Sequence, residues 1–205
     1  MKASITVGIA GGTGAGKTTV ARLLAESLGH VVVLDMDSYY LDRSGVSPEA
    51  RGRLNFDEPA AFDVSLLMQH LCLLRQDHAI EKPRYSFKSH TRTGIERIAP
   101  APVVVVEGLF ALWWEDLRES FDLRIYLDAP DDVRIRRRIE RDVVSRGRSA
   151  ESVLRQYECT VQPMHEVYVA PTRLYADLVL ANDRDINDCL MSVSDALKAT
   201  RPVSR

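Results

Sequence analysis

The sequence predicts an α/β fold, a three-layer sandwich built on a mostly parallel five-stranded sheet. Longer segments with helical periodicity separate short apolar runs, and this alternation is typical of α/β domains. The runs are rich in β-branched residues with little polar alternation, as expected for strands that are covered on both faces of a parallel sheet. They are SITVGIA (4–10), HVVVLDM (30–36), PVVVVEG (102–108), LRIYLDA (123–129) and ADLVL (176–180).

Helices are predicted at 17–28, 62–76, 130–144, 150–169 and from about 186 onwards. Two segments interrupt the alternation. LDRSGVSPEARGRLNFDEP (41–59) is a polar stretch with turn residues, which predicts a loop, and IEKPRYSFKSHTRTGIERI (80–98) predicts an inserted β-hairpin. We therefore expect one domain over residues 1–205, with the hairpin at about 80–98 and a lid region at about 134–160.

Composition restricts the class of protein. The chain has 205 residues, of which 45% are apolar and 27% charged, as in ordinary globular proteins, and one such domain buries a large core. Its formal charge of −2 gives no global electrostatic reason to bind nucleic acid or a membrane. The three cysteines, Cys72, Cys159 and Cys189, lie far apart and suggest neither disulfides nor a zinc site. With no signal-like start and no long apolar run, we expect a cytoplasmic protein.

A glycine-rich stretch follows the first predicted strand and opens the first predicted helix. Its sequence GGTGAGKT (11–18) matches GxxxxGK[ST], the loop whose backbone N–H groups surround the phosphates of a nucleotide. We expect Lys17 to reach the β- and γ-phosphates and the Thr18 hydroxyl to bind Mg²⁺. The predicted phosphate-binding residues are Gly11, Gly12, Thr13, Gly14, Ala15, Gly16, Lys17, Thr18 and Thr19.

Two acidic residues follow the ends of predicted strands. Asp37 lies just beyond the second strand and Glu107 at the end of the third, and ligands of open parallel sheets gather at these carboxyl ends. Asp37 suits two roles, accepting a proton from an attacking hydroxyl and helping to hold a metal ion. Glu107 is a candidate second carboxylate beside Mg²⁺. Either acid alone would equally fit a structural strand end, but together beside a phosphate loop they favour phosphoryl transfer.

The segment DVRIRRRIERDVVSRGR (132–148) contains seven arginines interrupted by acids. The four-residue spacing of Ile135, Ile139 and Val143 predicts the core-facing stripe of a helix. We expect Arg136 and Arg137 to lie on the surface.

The other arginines form a stripe away from that apolar face or lie at the helix end. They are Arg134, Arg138, Arg141, Arg146 and Arg148. Because the guanidinium fork suits phosphoryl oxygens, we interpret this region as a lid that closes on the transferring phosphate and excludes water.

Several blocks of the sequence resemble the uridine (uridine–cytidine) kinases of the phosphoribulokinase–uridine kinase group of P-loop kinases. The similarity covers nearly the whole chain. The phosphate loop is generic, whereas the blocks that match the nucleoside pocket and the lid are more specific. The matching blocks are GGTGAGKTT, DSYY, NFDEPAAFD, PRYSFKSHTR, VVVVEGLF, RRIERDVVSRGRS and QYECTVQPMHEVYVAPTRLYADLVL.

The resemblance implies ATP- or GTP-dependent phosphorylation of the uridine or cytidine 5′-hydroxyl, with Mg²⁺ as cofactor. It implies that Asp37 is the catalytic carboxylate, that Thr18 and Glu107 complete the Mg²⁺-binding site with Asp37, and that Asp57 binds the ribose hydroxyls. The resemblance further implies that the other nucleoside-pocket residues are Tyr40, Phe56, Tyr85, Phe87, His90, Arg138 and Gln156. It implies that the lid arginines are Arg141, Arg146 and Arg148. It also implies that the chains assemble as homo-oligomers, often tetramers.

Other functions stay open at this point. Kinases of ribulose 5-phosphate or nicotinamide riboside would share the core but should lack the YSFxxHTR hairpin. A nucleotide-dependent switch needs a base-specifying segment such as [NT]KxD, which we do not find. A nucleic-acid binder would use the arginines and show steep salt dependence. The donor base is expected near residues 182–184, where no residue decides between ATP and GTP.

Overall fold

The centre of the molecule is a five-stranded parallel sheet. The computed structural model describes residues 4–51, 53–183 and 185–200. The sheet has the order β2-β5-β1-β6-β7, and β3 and β4 form a separate antiparallel hairpin. The strands are β1 (Ile5–Gly11), β2 (Val31–Asp35), β3 (Ile80–Ser86), β4 (Thr91–Ile98), β5 (Val103–Glu107), β6 (Leu123–Asp128) and β7 (Leu178–Ala181). This architecture confirms the predicted α/β fold class with its five-stranded sheet.

Helices cover both faces of the sheet. They are α1 (Lys17–Leu28), α2 (Pro48–Arg51), α3 (Val64–Arg75), α4 (Glu115–Glu119), α5 (Asp131–Arg146), α6 (Ala150–Gln156), α7 (Gln162–Met164) and α8 (Ile186–Thr200). Side chains of α1 and α8 pack on one face, and those of α3 and α4 pack on the other. The valines of β5 point alternately into the two cores: Val103 and Val105 belong to one, and Val104 and Val106 to the other. This is the period-two alternation of a strand that is covered on both faces.

The register of the sheet brings the functional ends of three strands together. Ile9 of β1 and Asp35 of β2 both pair with Glu107 of β5. The phosphate loop therefore follows β1 at the edge of the sheet where the acidic residues that follow or end β2 and β5 also lie. This is the carboxyl edge at which ligands of open α/β sheets bind.

Some local structure differs from the expectation. The polar segment 41–59 contains the short helix α2, and α4 was not predicted because its five residues form fewer than two turns and cannot show a repeating apolar pattern. The segment predicted as a helix over 150–169 is helical throughout but not regular. The π-helical segment Tyr157–Val161 separates α6 from α7, and a second π-helical segment, His165–Val169, follows α7. Such π segments often occur at functional sites.

The buried face of α5 is not the apolar stripe that the sequence predicts. Ile135 and Ile139 are half-buried, and Val143 is 41% exposed. The buried residues of this helix are Arg134, Arg138 and Asp142. The prediction was wrong because α5 packs against the phosphate loop rather than against an apolar core: Arg138 donates to Thr13 Oγ1 at 3.1 Å.

Arg137 also differs from the expectation, because it is only partly exposed. Its guanidinium donates a hydrogen bond to the backbone carbonyl of Asn182 at 2.8 Å. Arg136, its neighbour, is exposed as predicted. Arg184, in the segment expected near the donor base, lies outside the described residues.

Candidate active site

The phosphate loop packs tightly between α5 and the start of α1. A Cβ added to Gly12 would lie 2.3 Å from Arg134 Nη1, and one added to Gly14 would lie 2.3 Å from the Arg134 carbonyl oxygen. Gly14 also has a φ of 74°, which side chains rarely adopt. Glycine at these positions therefore lets the loop curl against the first turn of α5.

Lys17 projects into the concavity of this loop. It is 8% exposed, and its Nζ donates to the Gly12 carbonyl at 2.9 Å. Burial lowers the pKa of Lys17 to about 8, against the attraction of Glu107 and Asp37. The ammonium group is thus held among backbone groups where phosphate oxygens would be its natural partners.

The two strand-end acids lie beside Lys17. Thr18 Oγ1 donates to Glu107 Oε1 at 2.7 Å, so hydroxyl and carboxylate share one corner of the site. Burial raises the pKa of Glu107 to about 7. Burial and the charge of Asp35 raise the pKa of Asp37, opposed by the positive charge of Arg146. Lys82 of the hairpin pairs with Asp35 at 2.5 Å and compensates part of this negative charge.

This donor set suits Mg²⁺. Mg²⁺ prefers oxygen ligands and is usually held by one or two carboxylates, with waters and substrate phosphates completing its shell. Thr18, Glu107 and Asp37 supply one hydroxyl and two carboxylates on the same wall of the cleft. Among the described residues no cluster of three or more His, Cys, Asp or Glu could hold a metal ion by itself.

A single cleft of about 1160 Å³ joins this phosphate corner to the hairpin and to α5. All predicted catalytic, metal-binding and nucleoside-binding residues line it. Of the predicted phosphate-binding residues, Thr13, Lys17 and Thr18 line it. The other predicted residues in the lining are Asp37, Tyr40, Phe56, Asp57, Tyr85, Phe87, His90, Glu107, Arg138, Arg141, Arg146, Arg148 and Gln156. The fold thus brings into contact residues that lie more than 100 positions apart in the sequence.

Aromatic rings form the far wall of the cleft. Phe56 and His90 stack in parallel with centroids 4.4 Å apart, and the Tyr40 and Tyr85 rings lie 4.9 Å apart. Burial lowers the pKa of His90, and the charges of Arg51 and Arg146 add to this effect, which favours the neutral imidazole. A neutral imidazole offers one donor and one acceptor, as the polar edge of a pyrimidine requires.

Asp57 belongs to a hydrogen-bonded network on the opposite side of the cleft. Its Oδ2 accepts from Thr160 Oγ1 at 2.8 Å and from Gln156 Nε2 at 3.1 Å. Gln156 Oε1 in turn accepts from Arg138 Nη2 at 3.1 Å and Arg148 Nη1 at 2.5 Å. The amide of Gln156 therefore connects the carboxylate to two arginines.

Sequence reasoning missed two residues of this site. Thr160 contacts Asp57 across 103 positions, and no sequence pattern signals that contact. Asp142 had a usable signal: its spacing of four and eight residues from Arg138 and Arg134 puts all three on one helical face. It is fully buried beneath Arg141, Arg146 and Arg148, the predicted lid arginines.

Four arginines of α5 and its C-terminal turn face the cleft. Arg146 lies over the ring of Phe87, with 4.0 Å between its Cζ and the ring centroid, so it spans from α5 to the hairpin. Arg138, Arg141 and Arg148 line the same cavity. This arrangement does not favour a nucleic-acid footprint, which would need the arginines on an open surface.

The sheet order, the loop between β1 and α1, and the acids at the neighbouring strand ends define a P-loop kinase, an enzyme that transfers a nucleotide phosphoryl group to a small molecule. The model of the "Phosphoribulokinase / Uridine kinase family" matches residues 6–187, and the chain belongs to this family.

Two relatives agree with this assignment, and one solved structure has a similar fold. A "Uridine kinase" of Alkaliphilus metalliredigens is 44% identical over 188 residues, covering 90% of each chain. A "Uridine kinase" of Deinococcus deserti is 44% identical over 197 residues, covering 95% of each. The fold is similar to that of phosphoribulokinase from Rhodobacter spheroides, with a TM-score of 0.62 at 14% identity over 88% of this chain and 71% of that one.

In the described part of the chain, no helix is both long and apolar enough to cross a membrane.

Proposed function

We propose that this protein transfers the γ-phosphoryl group of ATP or GTP to the 5′-hydroxyl of uridine or cytidine, giving UMP or CMP in cytoplasmic pyrimidine salvage. The observation that carries the proposal is the shared cleft, in which the phosphate loop and acid pair face an aromatic wall and a buried carboxylate. The "Uridine kinase" relatives, 44% identical over most of their length, support the same acceptor. Homo-oligomers, tetramers in particular, remain a prediction from the family.

Each part of the cleft has a proposed task. The loop residues and Lys17 hold the donor phosphates, and Asp37 accepts the proton of the attacking hydroxyl. The guanidinium groups of Arg141, Arg146 and Arg148 stabilise the charge that develops on the transferring group. Mg²⁺, when bound by Thr18, Glu107 and Asp37, would neutralise phosphate charge.

The proposed nucleoside site has two parts. The rings around Tyr40, Phe56, Tyr85, Phe87 and His90 bind the base, and Asp57, with Arg138 and Gln156, binds the ribose. A buried carboxylate that accepts both ribose hydroxyls loses a partner when the 2′-hydroxyl is absent, so we expect ribonucleosides to be preferred over deoxynucleosides. The aromatic wall does not favour a sugar phosphate as the acceptor, because a sugar phosphate has no base to stack on these rings.

A substrate panel tests this assignment. Uridine and cytidine are expected to be phosphorylated, and thymidine and deoxycytidine strongly disfavoured, in a coupled assay run with ATP and with GTP. Asp57→Ala should lower kcat/KM for uridine by roughly 10- to 150-fold, because a hydrogen bond to a charged group contributes about 1.5–3 kcal/mol. The KM for the donor should change little. Glu58→Ala, at the neighbouring acid, is the matched control, and equal rates on ribo- and deoxynucleosides would refute the role of Asp57.

The metal corner gives a second prediction. Glu107→Gln keeps an oxygen that can accept from Thr18 but removes the charge that attracts Mg²⁺. The Mg²⁺ concentration for half-maximal activity should rise by about tenfold, since a ligand carboxylate is replaced by a weaker neutral oxygen. Glu115→Gln, at an exposed acid of α4, should leave the Mg²⁺ dependence unchanged. An unchanged Mg²⁺ dependence in the Glu107 variant would remove Glu107 from the metal site.

A further inference from the structure

Asp142 is a fully buried carboxylate surrounded by four arginines. Its Oδ1 lies 2.8 Å from Arg141 Nε and 3.6 Å from Arg146 Nη1. Its Oδ2 lies 3.6 Å from Arg148 Nη1 and 3.8 Å from Arg138 Nε. The three proposed lid arginines and the proposed ribose arginine thus converge on one side chain that itself does not line the cleft.

Electrostatics makes this convergence depend on Asp142. Two like charges about 4 Å apart repel by about 4 kcal/mol at the effective dielectric near a protein surface, so a bare cluster of guanidinium groups would spread apart. A buried carboxylate, in turn, is costly unless charged partners surround it. The acid and the arginines therefore stabilise each other in this arrangement.

The backbone of Asp142 holds the turn that carries two of these arginines. The N–H groups of Gly147 and Arg148 both donate to the Asp142 carbonyl, the latter at 3.2 Å. Gly147 has a φ of 62°, which turns the chain so that Arg148 points back toward α5. A change of the side chain alone leaves these backbone bonds available, so its effect reports on the carboxylate.

Most of the arginine contacts with Asp142 are charge contacts rather than hydrogen bonds. Only Arg141 is within hydrogen-bond distance, and among the described residues Asp142 Oδ2 has no hydrogen-bond partner. Arg146 therefore keeps N–H groups that are not committed to a hydrogen bond with this acid, and they can donate to a phosphoryl group without first breaking one. Arg148 already donates from Nη1 to Gln156 Oε1 and from Nη2 to Ser152, so these bonds, rather than Asp142, are what it would exchange for a phosphoryl oxygen.

We propose that Asp142 is a positioning residue that holds Arg141, Arg146 and Arg148 in a convergent arrangement over the cleft before the phosphoryl group arrives. It does not touch the substrate and acts through the arginines, and the proposal rests on the function proposed above. Preorganised donors cost little reorganisation when charge develops, so the benefit falls on the chemical step.

The test is Asp142→Asn, which keeps shape and removes charge. We expect kcat to fall by about tenfold or more, with the Kd for uridine within about twofold of the wild-type value. Glu140→Gln removes the same charge from an exposed position of the same helix and should leave both unchanged. Thermal unfolding checks that the variant is folded. If Asp142→Asn shows no cooperative unfolding transition, Asp142→Glu and Asp142→Gln are compared instead, because these two variants differ mainly in charge. The Glu variant should then be the more active of the two.

A double-mutant cycle with Arg146→Ala separates positioning from a general structural role. If Asp142 acts through the arginines, Arg146→Ala costs much less in the Asp142→Asn background than in the wild type. Additive losses in kcat, or normal kcat in Asp142→Asn, would overturn the proposal. The same cycle measured by calorimetry with ADP and aluminium fluoride, which mimic the charged transferring phosphoryl group, needs no turnover. If the wild type fails to phosphorylate uridine, the proposed function fails, while non-additive or additive affinities for this mimic still support or overturn the role of Asp142.

Discussion

Asp37→Asn is expected to lower kcat by about 10²–10⁴-fold, equivalent to about 3–5 kcal/mol of activation free energy, because it removes the proposed general base. The substitution keeps the size and most of the hydrogen-bonding capacity of the side chain. Asp37 lies in the 3₁₀ turn Met36–Tyr39, directly after β2, on the wall of the cleft that also holds Lys17 and Glu107. Steady-state kinetics with uridine and ATP measure the loss.

Nucleotide binding should survive this substitution, since the phosphate loop and Lys17 are unchanged. Titration calorimetry with ATP is expected to give a Kd within a few-fold of wild type. Asp42→Asn is the matched control: it removes an acid from the same segment at an exposed position, and asparagine can still accept the hydrogen bonds from Ser44 and Arg92. Near-normal turnover of Asp37→Asn would show that another group accepts the proton.

The sheet and its functional edge could be predicted because their signals are local. The four valines 103–106 are typical of a strand covered on both faces, and β5 has this environment. The glycine spacing of the phosphate loop is equally local. Once β1, β2 and β5 are parallel neighbours, geometry alone brings Asp37 and Glu107 to the same edge.

The ribose-side network could not be predicted from the residues themselves. Thr160 meets Asp57 within a π-helical segment, and an α-helical projection of 150–169 gives no reason to expect this contact. Only the resemblance pointed to Asp57 and Gln156. Their mutual hydrogen bond is a property of the fold.

The error on α5 has a different origin. Amphipathic periodicity assigns the apolar stripe to the core, because apolar burial is the usual driving force for helix packing. Here the partner surface is the polar phosphate loop, so charged side chains with fixed partners, Arg138 and Asp142, are the buried ones. Periodicity correctly indicated a helix and could not indicate what it packs against.

The second prediction with a large effect on kcat concerns the proposed lid arginines. Arg146→Ala is expected to lower kcat by about 10²-fold, comparable to removing one preorganised donor from a site of developing charge. The Kd for uridine should change less than kcat, because the strongest contacts form only in the transition state. Arg146→Lys should recover part of the loss, since it keeps the charge but lacks the planar fork.

The control residue must be an arginine of the same segment, 132–148. Arg137, expected from the sequence to be on the surface, is unsuitable because it holds the Asn182 carbonyl. Arg136 is exposed on the same helix, and Arg136→Ala should leave kcat within about twofold of wild type. Equal, small losses at both positions would mean that α5 is merely charged and that the phosphoryl group is stabilised elsewhere. A large loss at Arg146 alone would assign the effect to position, because both substitutions remove one positive charge from one helix and differ in whether that charge reaches the cleft.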